Sequence, residues 1–155
     1  MVNKPRVLMS ACLLGVNCRY TGDGKRLEGL ERLMELAEII PVCPEVMGGL
    51  TTPRTPAERV GDKVIAKDGT DVTFQYHRGA MESLYLAKLF SAEYALMKER
   101  SPSCGYGVIY DGSFTGGFKP GNGTASELLS KNGIQIYGES RFEELIEELK
   151  KGKDK

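Results

Sequence analysis

With 155 residues, the chain has enough length for one real hydrophobic core and too little for several. Its 41% hydrophobic and 27% charged residues mark a globular sequence rather than a disordered one. Lys plus Arg number 21 and Asp plus Glu 21, so no global charge draws the molecule to nucleic acid or to an anionic membrane, and a nucleic-acid-binding role is disfavoured.

The opening "PRVLMSACLLG" reads as a first buried strand running into a glycine-punctuated loop. It is not a bilayer-spanning segment, and no other window is long and apolar enough to be one. The reading that follows is a cytoplasmic protein with its thiols reduced. A basic turn, "CRYTGDGKR", comes next, and Leu27, Leu30, Met34 and Ala37 then repeat as one face of a helix. "EIIPVCPEV" predicts a second strand in which Pro44 restricts Cys43 to an extended backbone. The segment 51–73 reads as a loop carrying a small hairpin around "KVIA". From Thr73 a helical pattern runs through Ala80, Met81, Leu84 and Ala87 to Phe90, and "EYALMKE" predicts a third strand.

"RSPSCGYG" ends that strand, because Pro102 disfavours helix at Ser101. "VIYDG" suggests a short strand and turn before a glycine-rich loop. Thr124 to Lys131 predicts a helix, and "IQIYG" a fourth strand. Ser140 and Glu143 have the spacing of a capping box, ahead of a helix whose buried face is Phe142, Leu145, Ile146 and Leu149. The last residues, 151–155, read as a solvated tail. Strands alternating with helices predict a single α/β domain over 1–155: a Rossmann-like parallel sheet of about four strands, helices on both faces, and a small β-hairpin insertion.

In such a sheet, ligands bind beyond the carboxyl ends of the strands. Cys12 and Cys43 fall at the ends of the first and second predicted strands, and Cys104 just past the third. Cys18 is within reach of the same place. A lone cysteine is most simply a small buried hydrophobe. Several thiolates meeting at one edge repel unless a cation takes up their charge, so zinc and an iron–sulfur cluster are both candidates. There is no Cys-x-x-Cys knuckle, and the single histidine, His77, reads as a helix-surface residue. Three thiolates from three loops would leave one coordination position open, which suits chemistry better than scaffolding. A metal-free persulfide transferase using Cys104 remains an alternative, as does a structural zinc domain using all four thiols.

Glu45, two residues after Cys43 on an extended backbone, is placed to serve as general acid or base. Ser101 and Ser103 could hydrogen-bond a substrate or cap a turn. Gly15, Gly48, Gly49, Gly105 and Gly107 could bring backbone N–H groups to sulfur. Arg19, Tyr20, Lys25 and Arg26 lie near the expected site. "GGFKPGNGT" offers a weak anion cradle at a helix N-terminus, without a P-loop ending.

Taken together, "SACLLGVNCRYTG", "PVCPEVMGGLTTPRTPAE", "ERSPSCGYGVIYDG" and "GNGTASELLSKNGI" resemble the thiouracil desulfurase family over nearly the whole chain. The resemblance implies a [4Fe-4S] cluster held by three cysteines, which by motif are Cys12, Cys43 and Cys104. It implies Glu45 and Ser101 as catalytic residues, Ser103 as a substrate contact, and a small thiolated nucleobase such as 2-thiouracil as substrate. Oligomeric state is not legible.

Overall fold

The computed structural model describes residues 3–153. Four strands form one parallel sheet: β1 (Arg6–Ser10), β2 (Glu38–Val42), β5 (Tyr94–Met97) and β8 (Gln135–Gly138), in the order β2-β1-β5-β8. The central strands β1 and β5 are runs of apolar residues because both of their faces are covered. Pro41 is confined to β2, an edge strand, where its missing N–H costs no ladder bond.

Alternate side chains of the strands feed two separate cores. Val7, Met9 and Leu96 pack with helices α1 (Leu30–Leu36) and α5 (Phe142–Lys153). Leu8, Ala95 and Met97 pack on the other face with α3 (Thr73–Leu89) and α4 (Thr124–Lys131). The expected α/β sheet with helices on both faces is what the structure contains. The hairpin insertion is β3 (Ala57–Val60) paired antiparallel with β4 (Lys63–Ala66), so "AERV" supplies the partner of the anticipated "KVIA" strand. A second antiparallel ribbon, β6 (Val108–Tyr110) with β7 (Phe118–Pro120), stands apart from the main sheet.

Several sequence expectations need correction. In α1 the buried face is Leu30 and Leu33, while Met34 is exposed. In α3 the buried positions are Tyr76, Gly79, Ala80, Ser83 and Ala87, and Met81 is 67% exposed. Small residues make that contact because α3 lies against the four-residue helix α2 (Pro44–Met47) at backbone distance. A Cβ on Gly79 would fall 1.7 Å from the Pro44 carbonyl oxygen, and one on Gly48 1.9 Å from that of Gln75. The capping box does not form: the Ser140 hydroxyl donates to Glu99 instead, at 2.6 Å. Phe142, Leu145, Ile146 and Leu149 are buried as expected. Helix α5 continues through Lys153, so residues 151–153 are helical rather than a loose tail, and 154–155 lie outside the described residues.

Strand order fixes where a site can form. The chain leaves β1 for β2 on one side and returns to place β5 on the other. The loops after β1 and β5 therefore diverge, which opens a crevice at the carboxyl edge of the sheet.

Candidate active site

The crevice contains a cavity of about 310 Å³, and all four cysteines line it. Cys12 lies in a 3-10 turn, Ala11–Leu14, directly after β1. Its carbonyl accepts the amides of Gly15 and Lys25, which folds the basic turn back beside it. Cys43 follows β2 with the extended backbone anticipated for a residue before proline, φ −127° and ψ 96°, and caps α2. Cys104 is buried in the loop after β5. The fourth thiol, Cys18, is close to Cys43, whose thiol donates to the Cys18 carbonyl at 3.8 Å.

Burial pushes the Cys12 thiol up to about 12, with the charges of Cys104, Cys18 and Cys43 adding to it and Lys98 opposing it. Cys18 is likewise raised to about 12 by burial and by Cys43, against Arg54. Cys104 rises to about 12 mainly through burial, opposed by hydrogen bonds from Ser10 and Ser103. Thiols that resist ionisation together are stabilised as thiolates by a cation among them. Among the described residues no group of three or more His, Cys, Asp or Glu is drawn together tightly enough to hold a single ion. All four thiols line one cavity, and a set of soft sulfur donors fits an iron–sulfur cluster.

Glu45 belongs to the first turn of α2, not to an extended segment as the sequence reading had it, because Pro44 at the first helical position starts a turn at once. Its carboxylate is held from two sides. Arg54 Nε donates to Oε1 at 3.0 Å, and the Ser103 hydroxyl donates to Oε2 at 2.7 Å. The Glu45 and Arg54 side chains are only 14% and 7% exposed, so this ion pair is buried. Arg54 also donates to the Thr51 and Cys18 carbonyls and thereby ties the Cys18 loop to the carboxylate. Tyr76 is packed beside Glu45; burial first, then the carboxylate's charge and hydrogen bond, keep its phenol protonated far above its ordinary range.

Ser101 and Ser103 occupy different positions. Ser103 is buried and makes the short bond to Glu45, whereas Ser101 Oγ is 3.5 Å from the same oxygen. Ser101 Oγ accepts the amides of Ser103 and Cys104, each at 3.1 Å, and contacts Ser103 Oγ at 3.0 Å. Ser103 Oγ is also 3.5 Å from Cys104 Sγ.

The loop carrying these groups is braced by α4. The amides of Thr124 and Ala125 donate to the carbonyls of Pro102 and Ser103 at 2.8 and 2.9 Å, and Gly123 N donates to Gly105 O at 2.7 Å. A Cβ on Gly123 would meet the Ser103 carbonyl carbon at 2.4 Å. The anticipated anion cradle at this helix N-terminus is thus filled by the protein's own backbone. The five glycines expected near sulfur also point their N–H groups at oxygen. Gly15 donates to Cys12 O, Gly48 to Pro44 O, Gly49 to Val46 O, Gly105 to Ser101 O and Gly107 to Asn122 Oδ1. Of the basic turn, Arg19 and Tyr20 reach the cavity wall, and His77 is exposed on α3.

Sequence reasoning missed Arg54, Tyr76 and Lys98, all of which line the cavity. Only Arg54 had a usable signal, since it is fixed between Pro53 and Pro56 in a segment that bears one of the cysteine motifs.

Comparison with known proteins agrees with this geometry. The model of the 2-thiouracil desulfurase family matches residues 7–141. The chain belongs to the 2-thiouracil desulfurase family. Among its relatives is an uncharacterized protein, YbbK, of Bacillus subtilis (strain 168), 36% identical over 150 residues, which cover 90% of this chain and 99% of YbbK. A solved structure named as the [4Fe-4S]-dependent thiouracil desulfidase TudS (DUF523Vcz) superposes with a TM-score of 0.90 at 43% identity, covering 95% of this chain and 99% of that one. Neither a structural zinc domain nor a metal-free persulfide transferase is favoured by these matches. Among the described residues no helix is long and apolar enough to cross a membrane.

Proposed function

We propose that this protein is a [4Fe-4S]-dependent desulfurase that converts the thiocarbonyl of a small thiolated nucleobase such as 2-thiouracil into a carbonyl, releasing hydrosulfide. The observation that carries this reading is the meeting, in one cavity, of four thiols with the Glu45–Ser103 pair. Cys12, Cys43 and Cys104, each from a different strand end, are the proposed ligands. When bound, the cluster would supply a Lewis acid for the substrate sulfur.

The residues of the chain do the proton chemistry. Ser101 O–H can donate to Ser103 Oγ while Ser103 O–H donates to Glu45, giving a short hydrogen-bonded chain that ends on a carboxylate. Arg54 fixes the opposite carboxylate oxygen, so Glu45 cannot turn away from the cavity. Glu45 takes a proton from water as the oxygen attacks the thiocarbonyl carbon. It then returns a proton as the C–S bond breaks. Water adds across C=S and hydrosulfide leaves, so no electrons are gained or lost. Ser101 and Ser103 relay protons and orient the ring, while the buried Arg54 holds the geometry between turnovers. A cavity of about 310 Å³, near the lower end of ligand pockets, would take both the cluster and the substrate, which restricts the substrate to a small molecule such as a free nucleobase.

The test is anaerobic iron and sulfide analysis of the wild type beside each Cys→Ala variant. Wild type should carry about four irons per chain, Cys12→Ala, Cys43→Ala and Cys104→Ala should lose them, and Cys18→Ala should retain them. Glu45→Gln should keep its iron and lose turnover of 2-thiouracil by about 100-fold or more. Colourless wild type carrying one zinc, or full activity in Glu45→Gln, overturns the proposal.

A further inference from the structure

The β6–β7 ribbon enters the cavity wall through Tyr110 at the end of β6 and through Phe114 and Gly116 in the turn that follows. Phe114 has φ +60°, a left-handed backbone that bulky residues avoid. Such a conformation persists only where its surroundings enforce it, and those places gather at ligand-contacting sites. Here the enforcement comes from Glu58 on β3. Its Oε1 accepts the amides of Gly112 at 2.9 Å and of Phe114 at 3.1 Å. Asp111 reinforces the turn by accepting from Ser113 N at 2.9 Å, and its own amide donates to Gly117 O at 3.0 Å.

Glu58 is itself buried at 8% exposure, and among the described residues it has no cationic partner. Burying a carboxylate without a countercharge is costly, so its two amide bonds carry the reason for its placement. The ribbon below is stiffened by the Tyr110 and Phe118 rings, 5.1 Å apart, and by the Arg100 guanidinium 4.6 Å from the Phe118 ring. The turn therefore presents a half-buried aromatic side chain to the cavity on a backbone that cannot relax.

We infer that Phe114, positioned by Glu58, is the specificity-determining surface on which the flat ring of the substrate stacks. This rests on the desulfurase reading for the identity of the ring and on the cavity alone for the stacking. An aromatic face rewards a planar ring and offers little to an acyclic thiocarbonyl. The ring preference of the enzyme then resides in a turn that contributes no proposed metal ligand and no proton-transfer group.

The experiment compares anaerobic holoprotein carrying Phe114→Leu, Phe114→Tyr, Glu58→Ala or Glu58→Gln with wild type. It measures kcat/KM for 2-thiouracil and for thiourea, together with the Kd of uracil, which has no sulfur to react, by calorimetry. Phe114→Leu should weaken uracil and lower the preference for 2-thiouracil over thiourea by about tenfold, the scale of one lost aromatic stack. Phe114→Tyr should stay within about twofold of wild type on both measures. Glu58→Ala should match Phe114→Leu, and Glu58→Gln, which keeps an accepting oxygen, should restore most of the preference. Unchanged uracil affinity in Phe114→Leu, or equal losses on the cyclic and acyclic substrates, overturns the inference. If wild type desulfurates neither compound yet binds uracil in a Phe114-dependent way, the desulfurase reading fails and the stacking surface stands.

Discussion

Each oxygen of Glu45 has its own keeper, Arg54 on Oε1 and Ser103 on Oε2. The two serines differ in what their loss removes. Ser103→Ala deletes a hydrogen bond to a charged group and leaves the loop backbone paired, so turnover should fall about 10- to 100-fold with iron content intact. Ser101→Ala removes the acceptor for the Ser103 and Cys104 amides. It should therefore speed loss of iron on exposure to air by about tenfold, measured by bleaching of the visible absorbance. Equal iron retention in the two variants would show that Ser101 does not shape the cysteine loop. That the cysteines would converge was legible from their places at strand ends, and Glu45 and Ser101, which line the same cavity, stand in the motifs that resemble the family's. Glu58 and Phe114 were not legible, because their roles depend on contacts with segments far away in the chain: Glu58 meets its partners 54 and 56 residues on.

Among the elements, the least readable contact was α2 against α3. Sequence periodicity follows large apolar residues, and it placed Met81 and Met34 on faces that prove to be exposed. The true contact in α3 is built from small residues that let two backbones touch, a feature with weak hydrophobic signal. Parallel strands and α5 were legible because their apolar patterns are strong and uninterrupted. The backbone contact makes a sharp prediction. Gly79→Ala must push α2 away from α3, moving Cys43 and Glu45 together, since both are on or beside α2. We expect a destabilisation of about 2 kcal/mol, seen as a drop in Tm of roughly 5 °C, together with reduced iron content. An unshifted Tm would mean that the α2–α3 approach is softer than its geometry implies.

For the molecule as a whole, the buried thiols couple stability to alkaline pH in the metal-free state. Cys12, Cys18 and Cys104 have an ordinary value of 9.0 and are raised to about 12 in the fold. Between those values the unfolded chain has released these protons and the folded chain still holds them. The folded state binds more protons, so unfolding free energy falls as pH rises through that window and is unaffected by these groups below it. Urea unfolding of metal-free protein at pH 8 and 10.5 should show this loss, and Cys104→Ala should lose less than wild type. Parallel losses in both would assign the effect to other groups. The same linkage requires that metal uptake by these protonated thiols release protons, so loading is favoured as pH rises. The parallel sheet and the gathering of the cysteines at its carboxyl edge followed from the alternation of strands and helices, whereas the order of the strands did not. Of the second ribbon, β6 was read from "VIYDG" but its partner β7 was not, since a three-residue strand beside glycines gives too little pattern to register.

The brace from α4 to the Cys104 loop carries a consequence for biosynthesis. All four thiols precede Gly123 in the chain, yet the amides that fasten Cys104's neighbours come from Gly123, Thr124 and Ala125. A chain ending at Asn122 would hold all four thiols and lack the backbone donors that fasten the Cys104 loop to α4. Competence to receive iron is thus acquired only once α4 has docked, and delivery before that point would meet an unfinished receptacle.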